Sequence, residues 1–142
     1  MKGDKITYQK LKGYKYSLYF PYTLNVGIKG YTIYTEYLTL LPDGTLTINN
    51  GYNWDGPSGP AIDTLDFMRG SLVHDVLYQL IREKSLPSEY KSVADKLLKE
   101  LCLEDGMSEI RANYVYAGVN VFGKHSCEAG SQVSDVEIYV AP

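Results

Sequence analysis

His74, Asp75 and Tyr78 are the side chains of this 142-residue chain whose types and spacing could carry out chemistry. An imidazole can take a proton from water near neutral pH, and a carboxylate can hold a hard cation such as calcium. Helical residues three and four positions apart project from one side, so these polar groups would share one flank of a helix. The spacing therefore permits a hydrolytic site on one helix.

A loop rich in glycine and proline, from Gly51 to Pro60, precedes this helix. Its glycines, Gly51, Gly56 and Gly59, would let main-chain carbonyls turn toward a cation. Carboxylates are also close in the sequence: Asp55, Asp63 and Asp66. Calcium suits such an oxygen-only set better than zinc, which prefers histidine and cysteine ligands. We therefore expect calcium as the cofactor if this segment is a metal site.

The same residues have a purely structural interpretation. A histidine beside a carboxylate can be a satisfied polar pair, with Asp75 or Asp95 accepting from the ring and Tyr78 completing the network. Gly70, one turn before His74, would leave space above the imidazole for a substrate or for a close backbone. Both interpretations stay open. A ring nitrogen of His74 within about 3 Å of an Asp95 oxygen would support the site.

The first fifty residues are rich in the Tyr, Thr, Ile and Leu that are typical of strands. A polar connection at Asn25 to Gly30 separates two extended runs, Tyr14 to Tyr22 and Gly30 to Leu41. The second run enters a hairpin at Pro42-Asp43-Gly44, because proline presets a turn and glycine accepts a positive φ. Alternation predicts that four side chains of this hairpin face a core together: Leu38, Leu40, Leu46 and Ile48.

The apolar period then changes to three and four residues, which predicts helices. The first helix is predicted over Thr64 to Glu83. The second begins after Pro87 and ends at Asp105-Gly106, and the third runs from an N-cap at Ser108 to a stop at Gly123. The apolar stripe of the third helix is expected at Ile110, Tyr114, Ala117 and Val121.

A short strand is predicted near the C-terminus, where Val136, Ile138 and Val140 alternate with other residues. Strands followed by helices and a final strand indicate an α+β fold with an N-terminal antiparallel sheet. We expect a single domain, made of a β-rich part (1–50), a Gly/Pro loop (51–63), a helical part (64–124) and a tail (125–142).

Two stretches of sequence resemble a family of small proteins encoded mainly by bacteriophages and prophages. One is Trp-Asp-Gly-Pro-Ser-Gly-Pro at positions 54–60, and the other is His-Asp-Val-Leu-Tyr at positions 74–78. Ala94-Asp95 and the run at 116–119 with Gly123 extend the likeness. The resemblance implies a viral protein that is made in the host cytoplasm and has other phage proteins as its partners. It implies no activity.

The pattern His-Asp-x-x-Tyr after a glycine-rich loop, with Asp95 on a later helix, resembles the catalytic core of phospholipases A2. This resemblance implies that His74 is the general base and that Asp75 is the carboxylate ligand of calcium. Asp95 would hold the far side of the His74 ring, and Tyr78 would hydrogen-bond Asp95. Loop carbonyls would complete the calcium shell: those of Tyr52, Trp54, Gly56 and Gly59. The implied activity is calcium-assisted hydrolysis of a lipid ester.

Composition narrows the alternatives. A net charge of −3 gives no basic surface for a phosphate backbone, so we expect no nucleic-acid partner. No apolar run is long enough for a transmembrane segment. Cys102 and Cys127 are expected as unpaired thiols.

The alternative to the hydrolase is a virion, tail or assembly component, or a binding protein, in which the His-Asp network is structural. The sequence does not determine the oligomeric state.

Overall fold

The computed structural model describes residues 5–11, 16–56 and 64–126, and within these it confirms the α+β class, with strands followed by helices. The chain divides into two compact units, one ending at Asp55 and the other beginning at Gly56. This boundary lies within the predicted Gly/Pro loop. Gly59, Asp63, Cys127 and the predicted C-terminal strand lie outside the described residues.

The first unit is made of short antiparallel strands. They are β1 (Tyr8–Lys10), β2 (Tyr16–Leu18), β3 (Tyr22–Asn25), β4 (Ile33–Tyr34), β5 (Leu38–Leu40), β6 (Thr45–Ile48) and β7 (Asn53–Trp54). One sheet has the order β1-β2-β7 and the other has the order β3-β6-β5-β4. Every pairing in both sheets is antiparallel, as the sequence predicted for the N-terminal part.

The predicted hairpin is confirmed in β5 and β6. Leu38 lies opposite Ile48 and Leu40 opposite Leu46, and all four side chains are at most 1% exposed. Gly44 in the turn has a φ of +93°, a value that L-residues rarely adopt. The inward-facing residues of this hairpin therefore form a core, as their alternation predicted.

The two extended runs of the sequence are each interrupted in the structure. The first run, which is described from Tyr16 onward, bends at Tyr19 and Phe20, which separate β2 from β3 and are exposed. Its first residues, Tyr14 and Lys15, lie outside the described residues. The second run reverses at Thr35, whose hydroxyl accepts a hydrogen bond of 3.0 Å from the Leu38 amide. A threonine side chain that bonds the backbone in this way competes with strand formation, and the result here is the β4–β5 hairpin.

The second unit is helical. Its helices are α1 (Leu65–Arg82), α2 (Lys91–Glu104) and α3 (Glu109–Ser126), with a short 3₁₀ turn at Ser88–Tyr90 before α2. The Ser108 hydroxyl accepts a hydrogen bond of 3.2 Å from the Arg111 amide, which confirms the predicted N-cap. The predicted stop at Gly123 is wrong because α3 continues to Ser126. No helix in the described residues is long and apolar enough to cross a membrane.

The predicted apolar stripe of α3 does not face the core. Ile110, Tyr114 and Val121 are 85%, 54% and 69% exposed. The buried side of α3 instead consists of smaller residues, Ala112, Val115 and Val119, which cluster with Phe67, Leu98, Cys102 and Met107. The helix is apolar on two sides, and periodicity alone cannot tell which of them packs against α1 and α2.

Candidate functional site

Helices α1 and α2 are in close contact at Gly70, one turn before His74. A Cβ added to Gly70 would lie 2.9 Å from Leu98 Cδ1, 3.2 Å from Cys102 Sγ and 3.3 Å from the Leu98 carbonyl oxygen. Real Cβ atoms avoid such distances. Gly70 therefore makes room for the backbone of α2, which is the second of the two alternatives that the sequence left open.

Asp95 is the centre of the site. It lies on α2 and is 0% exposed. Its Oδ1 accepts hydrogen bonds from His74 Nε2 at 2.8 Å and from the Tyr78 hydroxyl at 2.5 Å. His74 and Tyr78 are one turn apart on α1, and their ring centroids are 3.9 Å apart. The expected proximity of Asp95 to His74 is thus confirmed, and Tyr78 joins them.

Lys91 completes the network and was not among the predicted site residues. Its Nζ donates a hydrogen bond of 2.7 Å to Asp95 Oδ2. The same ammonium is 3.3 Å from the Val119 carbonyl oxygen and 3.4 Å from that of Asn120, both on α3. Lys91 therefore connects α2 to α3 at the point where Asp95 connects α2 to α1. The four-residue spacing of Lys91 and Asp95 is the sequence pattern that could have identified it.

The electrostatics of Asp95 follow from these contacts. Burial raises the pKa of its carboxyl, but hydrogen bonds from His74, Lys91 and Tyr78, together with the charge of His74, outweigh burial and hold the pKa below its usual value. Asp95 is therefore an ionised acceptor at neutral pH, and the His74 nitrogen that faces it must carry the proton. The lone pair of a neutral ring then lies on Nδ1.

The His74 side chain is slightly more exposed than that of Asp95. It is 9% exposed, whereas that of Asp95 is 0% exposed. Within the described part of the chain, its Nε2 contact with Asp95 is its only hydrogen bond. In the same part, no buried side-chain nitrogen or oxygen atom lacks a partner, so Nδ1, which has no hydrogen bond there, is not completely buried. Nδ1 is thus the atom of this site that can accept a proton.

A second ionic cluster lies one turn earlier along α1. Arg69 is 4% exposed, and its guanidinium donates to both oxygens of Asp105, at 2.9 and 3.1 Å, and to Glu104 at 2.7 Å. The start of α1 thus meets the end of α2, so the two helices run antiparallel.

The predicted calcium ligands are placed as follows. Asp75 is half-buried on α1, directly after His74. The Tyr52 carbonyl accepts a hydrogen bond of 2.9 Å from the Leu18 amide, and Trp54 lies in β7 with its ring against Tyr8 and Tyr16. Trp54 is thus part of the β1-β2-β7 sheet, and Tyr52, which precedes β7, is bonded to the last residue of β2.

Gly56 follows that sheet with a φ of +76°, and Gly59 lies outside the described residues. No group of three or more His, Cys, Asp or Glu side chains in the described ranges could hold a metal. The expected calcium shell needs no such group, because it combines one carboxylate with carbonyl oxygens. The Asp75 carboxylate and the Gly56 carbonyl are the kinds of oxygen donor that this shell needs, and calcium stays a prediction.

These contacts define a buried carboxylate shared by an imidazole, a phenol and an ammonium, with one imidazole nitrogen accessible. Comparisons with protein-family models, with curated proteins and with solved structures found no match for the chain. The function must therefore be argued from the site itself.

Proposed function

We propose that this chain is a calcium-assisted ester hydrolase of the phospholipase A2 type, encoded by a bacteriophage and acting on a lipid ester. The observation that carries the proposal is the shared Oδ1 of Asp95, 2.8 Å from His74 Nε2 and 2.5 Å from the Tyr78 hydroxyl. These contacts fix the ring and direct the basic nitrogen away from the carboxylate, as a general base requires.

The proposed reaction uses His74 twice. Nδ1 takes a proton from a water molecule while the water oxygen attacks the ester carbonyl carbon. The same nitrogen then returns the proton to the leaving alkoxide as the carbon–oxygen bond breaks, which yields a carboxylic acid and an alcohol. Asp95 stabilises the imidazolium formed between these steps, and Tyr78 keeps the Asp95 carboxylate in place.

Calcium would be held by Asp75 and by loop carbonyls that include that of Gly56. When bound, it would polarise the ester carbonyl and stabilise the negative charge that develops on its oxygen. Asp75 is suited to this task because it is only half-buried, in contrast to Asp95.

Hydrolysis of phosphatidylcholine in mixed micelles, with calcium and then with a chelator, tests the proposal. We expect the wild-type chain to release fatty acid only with calcium. His74→Gln should lower kcat by about 10² to 10⁴, the usual contribution of a general base, with little change in Tm. Asp75→Asn should remove the calcium response of both activity and Tm, since a ligand of the folded state raises stability by mass action.

His125→Gln is the matched control, because it removes the chain's other histidine, and it should retain full activity. The proposal fails if the wild-type chain releases no more fatty acid with calcium than with chelator. It also fails if His74→Gln and Asp75→Asn merely unfold the protein, because the site would then be structural.

A second candidate is a non-catalytic virion, tail or assembly component. The observation that favours it is the satisfied network around Asp95, which ties together all three described helices through His74 and Lys91. Buried polar networks of this kind can specify how helices pack without any chemistry. Copurification with phage particles at fixed stoichiometry, together with a Tm that calcium does not change, would favour this candidate over the hydrolase.

A further inference from the structure

The exposed side of α3 carries an apolar stripe that neither the helical core nor the Asp95 network uses. Ile110, Tyr114, Ala117 and Val121 are exposed and follow one another at spacings of four, three and four residues. Two helices that pack along a common seam have this spacing. We propose that the stripe is the interface of a dimer, in which α3 of one copy of the chain pairs antiparallel with α3 of a second copy.

The order of side chains along the stripe fits a two-fold axis. A two-fold interface brings the same surface of both copies face to face. When two copies of α3 run antiparallel about the midpoint of the stripe, Ile110 faces Val121 of the second copy and Tyr114 faces its Ala117. Each contact joins a larger side chain to a smaller one, which is how facing positions fill a seam without collision. The stripe is therefore complementary to itself.

The charge pattern of α3 also favours an interface. Between positions 110 and 121, all within the described part of the helix, the exposed side chains are uncharged: Ile110, Asn113, Tyr114, Ala117, Asn120 and Val121. By contrast, α2 exposes Lys96, Glu100 and Glu104. Interface centres are poor in charged residues and rich in aromatic ones, whereas a solvated helix face carries charges. The exposed side of α3 thus has the composition of a contact surface.

The size of the stripe suits a weak dimer. Ile110, Tyr114 and Val121 are 85%, 54% and 69% exposed. Side chains of this size bury roughly 100 to 200 Å² each when covered, so the three leave roughly 200 to 400 Å² of apolar surface per copy. Two copies with their asparagine rims approach about 1,000 Å², the lower limit for a specific interface. We therefore expect a dimer that depends on concentration.

The opposite side of α3 holds the helix within its own copy. Ala112, Val115 and Val119 pack in the helical core, and the carbonyls of Val119 and Asn120 accept hydrogen bonds from the Lys91 ammonium. The stripe contributes no side chain to this core. Substitutions in the stripe should therefore leave the fold of each copy intact.

The test is sedimentation velocity of the full-length chain between about 1 μM and about 1 mM, a range that covers weak specific association. The wild-type mass should rise from one chain to two. Ile110→Glu and Val121→Lys each place a charge against an apolar side chain of the second copy, so each should weaken dimerisation at least about ten-fold. Tyr34→Glu is the matched control, because Tyr34 is 70% exposed in the first unit, and it should dimerise like the wild type.

The double variant Ile110→Glu/Val121→Lys tests the direction of pairing. In an antiparallel dimer, the new carboxylate at position 110 lies opposite the new ammonium at position 121 of the second copy. Dimerisation should then recover relative to both single variants, most clearly at low salt. A parallel dimer would place like charges together, so the double variant would associate no better than either single one.

A wild-type chain that stays monomeric at about 1 mM overturns the inference. So does a folded Ile110→Glu variant that dimerises like the wild type, and a double variant without recovery overturns the antiparallel pairing. If both single variants lower the Tm of the monomer at low concentration, another part of the same chain covers the stripe, and the inference fails. If Ile110→Glu does not fold, the wild-type series and Val121→Lys decide. None of these outcomes depends on hydrolysis.

Discussion

Two ionic clusters join the same pair of helices and have opposite designs. At one, Arg69 is a buried cation, and its partners Glu104 and Asp105 keep 41% and 25% of their side chains exposed. At the other, Asp95 is a buried anion, and its partners His74 and Lys91 keep 9% and 17% exposed. The first cluster thus buries its positive group and the second buries its negative one.

This difference separates a structural contact from a site that can move protons. A guanidinium stays charged at any pH that a protein meets, so the buried group of the Arg69 cluster does not exchange a proton. A buried carboxylate can accept only, so each group around Asp95 must present a proton to it, and the imidazole among them has a second nitrogen that can exchange. Chemistry is therefore expected at His74 and simple helix attachment at Arg69.

The largest expected effect comes from replacing an aspartate by asparagine, which is compared between the two clusters. Asp95→Asn should lower the free energy of unfolding by about 3 to 5 kcal/mol, because it leaves the Lys91 ammonium without its counter-charge in a largely buried position. Asp105→Asn should cost about 1 kcal/mol or less, because Asp105 is partly exposed and Glu104 still binds Arg69. Urea unfolding of the two variants measures both values.

Equal losses in Asp95→Asn and Asp105→Asn would contradict the comparison, because burial would then not distinguish the clusters. The measurement also bears on the proposed function. Asp95→Asn should lose hydrolytic activity even under conditions where it is fully folded, whereas Asp105→Asn should keep it.

Local sequence patterns predicted much of this molecule. The hairpin at Leu38 to Ile48, both ends of α1 and the end of α2 were correct because turn residues, caps and short-range periodicity act within a few positions. The second helix was predicted to begin directly after Pro87, whereas α2 begins at Lys91, after the 3₁₀ turn at Ser88–Tyr90. The His74, Tyr78 and Asp95 contact was expected from a resemblance, and spacing on one helix accounts for its first two members. Helical spacing could also have identified Lys91, because it lies one turn before Asp95 on the same helix.

Other features depend on contacts that spacing does not encode. The choice of buried side in α3, Ala112 rather than Ile110, depends on how closely the helices pack. Arg69 and Asp105 are 36 positions apart, and neither has a sequence pattern that predicts their pairing. From the sequence, Gly70 could make space either for a substrate or for a close backbone, and its distance from α2 decides between them. In each case the deciding information is the position of another helix.

Gly70 gives the next test, of intermediate size, because it lies between the two clusters on α1. Gly70→Ala should lower the free energy of unfolding by about 1 to 3 kcal/mol through overpacking against Leu98. The sign is informative, since alanine in an uncrowded helix position would instead stabilise by about 1 kcal/mol. Chemical denaturation measures the change.

A double-mutant cycle with Leu98→Ala checks the cause. Removing Leu98 Cδ1, the atom closest to the added Cβ, should reduce the cost of Gly70→Ala, although the Leu98 carbonyl stays 3.3 Å away. If Gly70→Ala stabilises the protein in either background, the helices are not in close contact at this position.

The smallest expected effect is the acid dependence of stability. Because the pKa of Asp95 is lower in the folded protein than in the unfolded chain, its contribution is fully present above about pH 4. The contribution is lost as pH falls through the folded value, with a slope of at most about 1.4 kcal/mol per pH unit. Asp43 lies in the first unit, and hydrogen bonds from Thr45 lower the pKa of its carboxyl. Its contribution to stability is therefore lost in acid in the same way.

Subtracting the stability of Asp95→Asn from that of the wild type at each pH therefore isolates Asp95. The difference should be constant near neutral pH and should shrink below about pH 4. At low pH the wild-type Asp95 becomes protonated and uncharged, and the asparagine of the variant is uncharged at every pH. A difference between wild type and Asp95→Asn that stays constant from pH 7 to pH 2 would show that folding does not lower the pKa of Asp95, in contradiction to the effect expected of its three hydrogen-bond donors.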